Sequence, residues 1–118
     1  MSALARLVEE WHGAVPVARV HGEVDSSNAG DIGLRIRSLV TNQLKAMVID
    51  LAGTTYLDSA GINLLFALGE ELRARQQRLL LVVAPESPIA RMIGVTGLDQ
   101  SVPVRPSLTD ALAVLDGE

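Results

Sequence analysis

Two runs of consecutive aliphatic residues constrain this chain more than any other feature. Met47-Val48-Ile49 and Leu79-Leu80-Leu81-Val82-Val83-Ala84 show no alternation of apolar and polar side chains. A strand with one wet face alternates, whereas a strand covered on both faces reads as a continuous apolar run. Between the runs, Ile62 to Gln77 follows a helical period, with Ile62, Leu65, Phe66, Gly69 and Leu72 on one stripe and Glu70, Glu71, Arg73 and Arg75 mostly elsewhere. Strand, helix and strand in that order place helices against a parallel sheet through right-handed crossovers.

The flanking segments extend the pattern. Leu4 to Glu10 reads as a strand, with Leu4, Arg6 and Val8 on one face and Ala5, Leu7 and Glu9 on the other, although the weak alternation also fits a short helix. His12-Gly13 is a turn signal, and Val15 to Val20 is a clearer strand, so the two form an opening hairpin. Pro16 cannot donate to a ladder and predicts an edge position or a strand start. The polar loop Gly22 to Asn28 leads into a helix whose Ile32, Ile36, Leu39 and Val40 form one stripe and which Asn42 ends. Lys45 to Leu51 is the next strand, and Thr54 to Gly61 is a loop ahead of the Ile62 helix. After the strand Arg78 to Ala84, Ser87 is an N-cap and Pro88 the first residue of a short helix that Gly94 to Gly97 closes. Val102 to Arg105 is a last short strand, and Ser107 to Asp110 opens a final helix with Ala111, Leu112 and Leu115 facing inward. The order is β-β-α-β-α-β-α-β-α. It predicts one α/β domain over residues 1–118, with a mixed, mostly parallel sheet, an opening β-hairpin and about four flanking helices.

Composition narrows the function. The chain has 118 residues, enough for a sizeable core. It carries one Trp, one Tyr and one Phe, so that core is aliphatic. A net charge of −4 argues against nucleic acid, which needs a basic face. There is no Cys, which excludes disulfides, thiolate metal sites and a Cys nucleophile. No apolar run is long enough to cross a bilayer, so direct membrane insertion is not expected. We expect a soluble, cytoplasmic protein.

Familiar catalytic arrangements are missing too. His12 and His21 have no spaced carboxylate or second His, so no metal site is expected. Neither G-x-G-x-x-G nor G-x-x-x-x-G-K-[ST] occurs, and no base is in view to activate Ser59, so we expect no cofactor and no catalytic residue. Asp50 lies near the end of a buried strand, where a phosphoacceptor could sit. The acidic pair and late Lys of a receiver domain are absent, so Asp50 is read as a hydrogen-bond acceptor for the following loop.

What remains is a pair of hydroxyl-rich acidic loops, Gly22 to Asn28 and Thr54 to Gly61. Loops at the carboxyl ends of strands form the usual binding edge of such a sheet. The fold would therefore bring Asp25, Ser26 and Asn28 near Asp58 and Ser59. Asp58 and Ser59 also suit a helix start.

These residues carry a resemblance. Asp58-Ser59-Ala60-Gly61-Ile62 resembles the D-S-[SA]-G-[LI] signature of anti-sigma-factor antagonists of the STAS domain family. Gly22-Glu23-Val24-Asp25 resembles that family's G-E-[LIV]-D piece, and the element order agrees over nearly the whole chain. The resemblance implies a bacterial partner-switching protein. Unphosphorylated, it would bind an anti-sigma factor that is also a serine kinase and so free a sigma factor. Phosphorylation of Ser59 would end binding, and a phosphatase would restore it. Ala60 stands where some members have a second Ser, which leaves Ser59 as the single acceptor. The partner surface is expected to comprise Asp25, Ser26, Asn28, Asp58, Ala60, Gly61, Ile62 and Leu64, the last an apolar residue on a partly exposed helix face. The resemblance leaves an alternative job open: a scaffold in a stress-signalling complex, or a soluble subunit of a lipid or anion transport system. An enzyme is the third and weakest reading.

Overall fold

The computed structural model describes residues 5–116. Leu4 and both chain ends of the expected 1–118 domain lie outside the described residues.

The organising strand is β2 (Val15–Val24). β1 (Ala5–His12) runs antiparallel to it in an unbroken register from Ala5 opposite Gly22 to His12 opposite Val15. Two strands share its other side. β3 (Ala46–Asp50) pairs in parallel with Val17 to Arg19, and β4 (Thr54–Leu57) pairs in parallel with Gly22 to Val24. β5 (Arg78–Val82) and β6 (Val104–Arg105) continue the sheet in the order β1-β2-β3-β5-β6. The helices are α1 (Ala29–Arg37), α2 (Ser59–Ala74), α3 (Pro88–Thr96), the single turn α4 (Leu98–Ser101) and α5 (Leu108–Asp116).

Successive side chains of a strand point to opposite faces, and here both faces are covered. Ala18, Val20, Met47, Ile49, Leu79 and Leu81 join Ile32 and Ile36 of α1, Leu65, Leu68 and Leu72 of α2 and Ile89 and Ile93 of α3 in one core. Val17, Val48, Leu80 and Val82 pack on Ala111 of α5 from the other side. This is why the β3 and β5 runs do not alternate. Leu68 and Leu80 are fully buried, and truncating either to Ala costs about 2–5 kcal/mol.

The mixed sheet, opening hairpin and parallel strands agree with the sequence reading. Several details differ. Thr54–Leu57 is a strand rather than part of a loop. β2 extends past the end of β3, and its free backbone there is paired by β4, with Gly22 N–H on Gly53 O at 3.0 Å and Thr54 Oγ on Val20 O at 2.7 Å. Gly22, at φ +94°, marks the register break that lets one strand serve two partners. α1 ends at Arg37, well before Asn42. The Ser38 hydroxyl donates to Arg35 O at 2.6 Å as the helix unwinds. Leu39 and Val40 then pack on the core from irregular backbone. α2 starts three residues earlier than the apolar stripe and stops at Ala74. Phe66 is only half-buried. Pro16 is not at an edge, because β2 is interior. It lies at the strand start, one residue before the pairing with β3 begins at Val17.

Candidate partner-binding site

β4 ends at Leu57 and hands directly to α2, placing Asp58 at the helix N-cap. Asp58 has extended backbone, and its Oδ1 accepts the N–H groups of Ala60 at 2.9 Å and Gly61 at 3.1 Å. Its own N–H donates to Val24 O at 3.1 Å, so the β2 end and the α2 start are fastened together. Ser59 is the first helical residue. It is exposed, and its hydroxyl makes no hydrogen bond among the described residues.

The second loop is folded on itself. Asp25 Oδ1 accepts the Ser27 N–H at 2.8 Å and the Ser27 hydroxyl at 2.5 Å. The hydroxyl bond, followed by the N–H bond, stabilises the carboxylate and holds the Asp25 pKa below the ordinary aspartate value against a small opposing effect of burial. Asn28 is fully buried beneath it. Its Oδ1 accepts the Asp25 N–H at 3.0 Å and its Nδ2 donates to Glu23 O at 2.9 Å. Asn28 precedes α1 without capping it with its side chain.

The two loops meet. The Ser26 N–H donates to Asp58 Oδ2 at 3.2 Å across 32 positions of sequence. One carboxylate therefore caps α2 with one oxygen and holds the neighbouring loop with the other.

The expected surface is thus partly surface and partly foundation. Ser26 and Ser59 are exposed, and Asp25, Asp58, Ala60 and Leu64 are half-buried. Asn28, Gly61 and Ile62 are buried and cannot offer their side chains to a partner directly. Gly61 is there for space: a Cβ on it would lie 2.9 Å from Leu57 Cδ2 and 3.2 Å from Val24 Cγ1. Leu64 fills the seam between α2 and α1, where a Cβ on Gly33 would lie 2.8 Å from its Cδ1. The sequence reading omitted Tyr56, which is 45% exposed on β4 opposite Glu23. The missing signal was the strand itself: Leu57 faces the core, so its strand neighbour Tyr56 faces away. Asp50 behaves as expected, its Oδ1 accepting the Ala52 N–H at 2.9 Å.

Among the described residues, no group of three His, Cys, Asp or Glu side chains could hold a metal ion, and no helix is long and apolar enough to cross a membrane.

The STAS domain model matches residues 7–111, and the chain belongs to that family. It is 33% identical over 106 residues to the anti-sigma-F factor antagonist RsfB of Mycobacterium tuberculosis, covering 90% of this chain and 85% of that one. It is 37% identical over 76 residues to osmosensory protein A of the same organism, covering 63% of this chain and 46% of that protein. The crystal structure of an anti-sigma factor antagonist from Mycobacterium paratuberculosis superposes with a TM-score of 0.84 at 33% identity, covering 93% of this chain and 92% of that one. The unphosphorylated form of the antagonist SpoIIAA shares the fold, with a TM-score of 0.78 at 20% identity over 96% of this chain and 98% of that one.

Proposed function

We propose that this protein is an anti-sigma factor antagonist switched by phosphorylation of Ser59. The observation that carries the reading is the bond from Ser26 to Asp58. It joins the two loops into one surface beside an exposed serine whose hydroxyl has no hydrogen bond among the described residues. Family membership and the name of the RsfB relative supply the partner class. The unphosphorylated protein binds an anti-sigma factor with serine kinase activity, through Asp25, Ser26, Asp58, Ala60, Leu64 and the Ser59 hydroxyl. Asn28, Gly61 and Ile62 hold that surface from beneath. The protein itself has no catalytic role, and a phosphatase resets it.

The electrostatics suit a switch. A phosphoserine adds about −1.5 to −2 charges. The helix dipole favours an anion at the α2 start, but Asp58 already occupies the Ala60 and Gly61 N–H groups. A phosphate on Ser59 would therefore stand next to the Asp58 carboxylate, to which the Asp25-bearing loop is bound through the Ser26 N–H, and would add negative charge to an already acidic surface facing the partner.

A second reading rests on the likeness to osmosensory protein A: the same surface could serve as a scaffold in stress signalling. The test is incubation with a candidate anti-sigma kinase and ATP, mapping of phosphate by mass spectrometry, and a Ser59→Ala control. Phosphate on Ser59 with loss of kinase binding is the expected result. Neither phosphate nor binding with any candidate kinase would favour the scaffold.

A further inference from the structure

β1 is an open edge. It is eight residues long, pairs with β2 without a bulge, and contains neither Lys nor Pro. Natural edge strands are normally shortened, bulged, charged with Lys or covered, because a long regular edge recruits another strand. Two of the large exposed apolar residues also lie on it, Val8 at 38% and Trp11 at 55% exposure. The cover from α1 is slight: Arg35 Nη2 reaches Glu9 at 3.3 Å and the Leu7 carbonyl only at 3.5 Å, the outer limit of a hydrogen bond.

The residue order along this edge is self-complementary. We propose that β1 pairs antiparallel with β1 of a second copy about a twofold axis at Val8. That register sets Val8 against Val8, Arg6 against Glu10 of the second copy, and Ala5 against Trp11 of the second copy. Arg6 has no ion pair among the described residues, so it is available for this contact. Glu10 shares Arg19 and His12 within its own chain and keeps acceptor capacity for a further cation. Neighbouring registers are worse. A centre at Arg6, Glu9 or Glu10 puts a like charge directly against itself, which is destabilising. A centre at Leu7 gives Arg6 only Val8. The Val8 register joins two sheets into one and satisfies main-chain groups along both edges. It also leaves the Ser26–Asp58 surface open, because β4 lies on the opposite side of β2.

This inference is independent of the proposed function. Sedimentation equilibrium of the wild-type chain up to about 0.5 mM, a range suited to interfaces of modest size, should show mass rising toward twice the monomer. Arg6→Glu should weaken association about tenfold, since two cross-strand pairs become repulsive in each dimer. Val8→Cys gives a direct reading of register, because the chain has no other cysteine. Residues facing each other across an antiparallel pair have Cβ atoms about 4.5–5.5 Å apart, so mild oxidation should yield a disulfide dimer efficiently. Glu9→Cys, which faces Leu7 of the second copy, should do so poorly. A wild-type chain that stays monomeric over the whole range would overturn the proposal. So would a dimer in which Val8→Cys cross-links no better than Glu9→Cys.

Discussion

Ser26 and Asp58 are bound to each other through the Ser26 N–H and Asp58 Oδ2 at 3.2 Å, while Asp58 Oδ1 caps α2 through Ala60 and Gly61. The two recurring motifs of the chain are thus one structural unit. Anything that moves Asp58 disturbs both the start of α2 and the tip of the β2–α1 loop.

Asp58→Ala tests that unit. It removes an N-cap, which costs about 0.5–2 kcal/mol, and a loop hydrogen bond, which contributes about 0.5–1.5 kcal/mol. Urea unfolding should show a loss of about 1–3 kcal/mol. Asp58→Asn keeps an acceptor oxygen, and Asn is as good an N-cap as Asp, so its loss should be clearly smaller. Negligible losses for both variants would mean that the side-chain oxygens hold nothing.

Gly61→Ala tests the close approach beneath the site. An alanine should gain up to about 1 kcal/mol in helix propensity. Its methyl would meet Leu57 at 2.9 Å and Val24 at 3.2 Å, and overpacking of this kind costs about 1–3 kcal/mol. Net destabilisation is expected. Gly94→Ala in α3 is the control: nothing lies within 4 Å of the added methyl, so it should stabilise by about 0.4–1 kcal/mol. Thermal melts that rank the two variants the other way would contradict the packing.

Much of this could be read from the chain, and the failures have physical causes. The β3 and β5 runs declared a two-sided sheet because Val48 and Leu80 face α5 while Ile49 and Leu81 face α1 and α2. Ser87 was legible as a cap, and its Oγ accepts the Ala90 N–H at 3.1 Å. β4 was not legible. In four residues only Thr54 and Leu57 are buried, so no alternation shows, and the strand exists because β2 has backbone to pair. Leu39 and Val40 kept the helical period after the helix had ended, since a core can be filled from irregular backbone as well. At the site, the pattern marked two loops that the structure brings together through Ser26 and Asp58, but it could not rank surface against support. Asn28 looks like a surface polar residue in sequence and is wholly buried, because two backbone groups in its loop need its amide.

That role gives a further prediction. Asn28→Ala would leave the Asp25 N–H and Glu23 carbonyl without partners. A buried polar group left unsatisfied costs about 1–3 kcal/mol. Besides a loss of stability, amide exchange in residues 23–28 should accelerate while exchange in β3 and β5 keeps its order of protection. Unchanged exchange in the loop would show that Asn28 does not hold it.

Acid should loosen the same loop from its outer side. The Ser27 hydroxyl and N–H hold the Asp25 pKa below its ordinary value, which is about 3.9 in an unstructured chain. A depressed carboxylate adds stability above its unfolded pKa, and that contribution is lost as pH falls through the folded value. Following the Ser27 amide by NMR, the midpoint should lie below that of an ordinary aspartate. Ser27→Ala removes the hydroxyl bond, the larger cause, and should move the midpoint upward. A midpoint that stays put in Ser27→Ala would assign the shift elsewhere.

The switch proposed above predicts a separation of stability from binding. Ser59 is exposed and its hydroxyl has no hydrogen bond among the described residues, so an added negative charge breaks none of those contacts. An acidic residue in the first turn also agrees with the helix dipole, by about 0.3–1 kcal/mol, and repulsion from the adjacent Asp58 works against it across partly solvated space. These effects are of similar size and opposite sign. Ser59→Asp should therefore keep its melting temperature within a few degrees of wild type while losing affinity for the anti-sigma partner. Leu64→Ala provides the contrast, because Leu64 packs into the seam with α1 and also reaches the surface. It should lower both melting temperature and affinity. Calorimetric melts run beside a binding titration would decide the matter: a Ser59→Asp variant that lost binding only because it had unfolded would remove the argument for a surface switch.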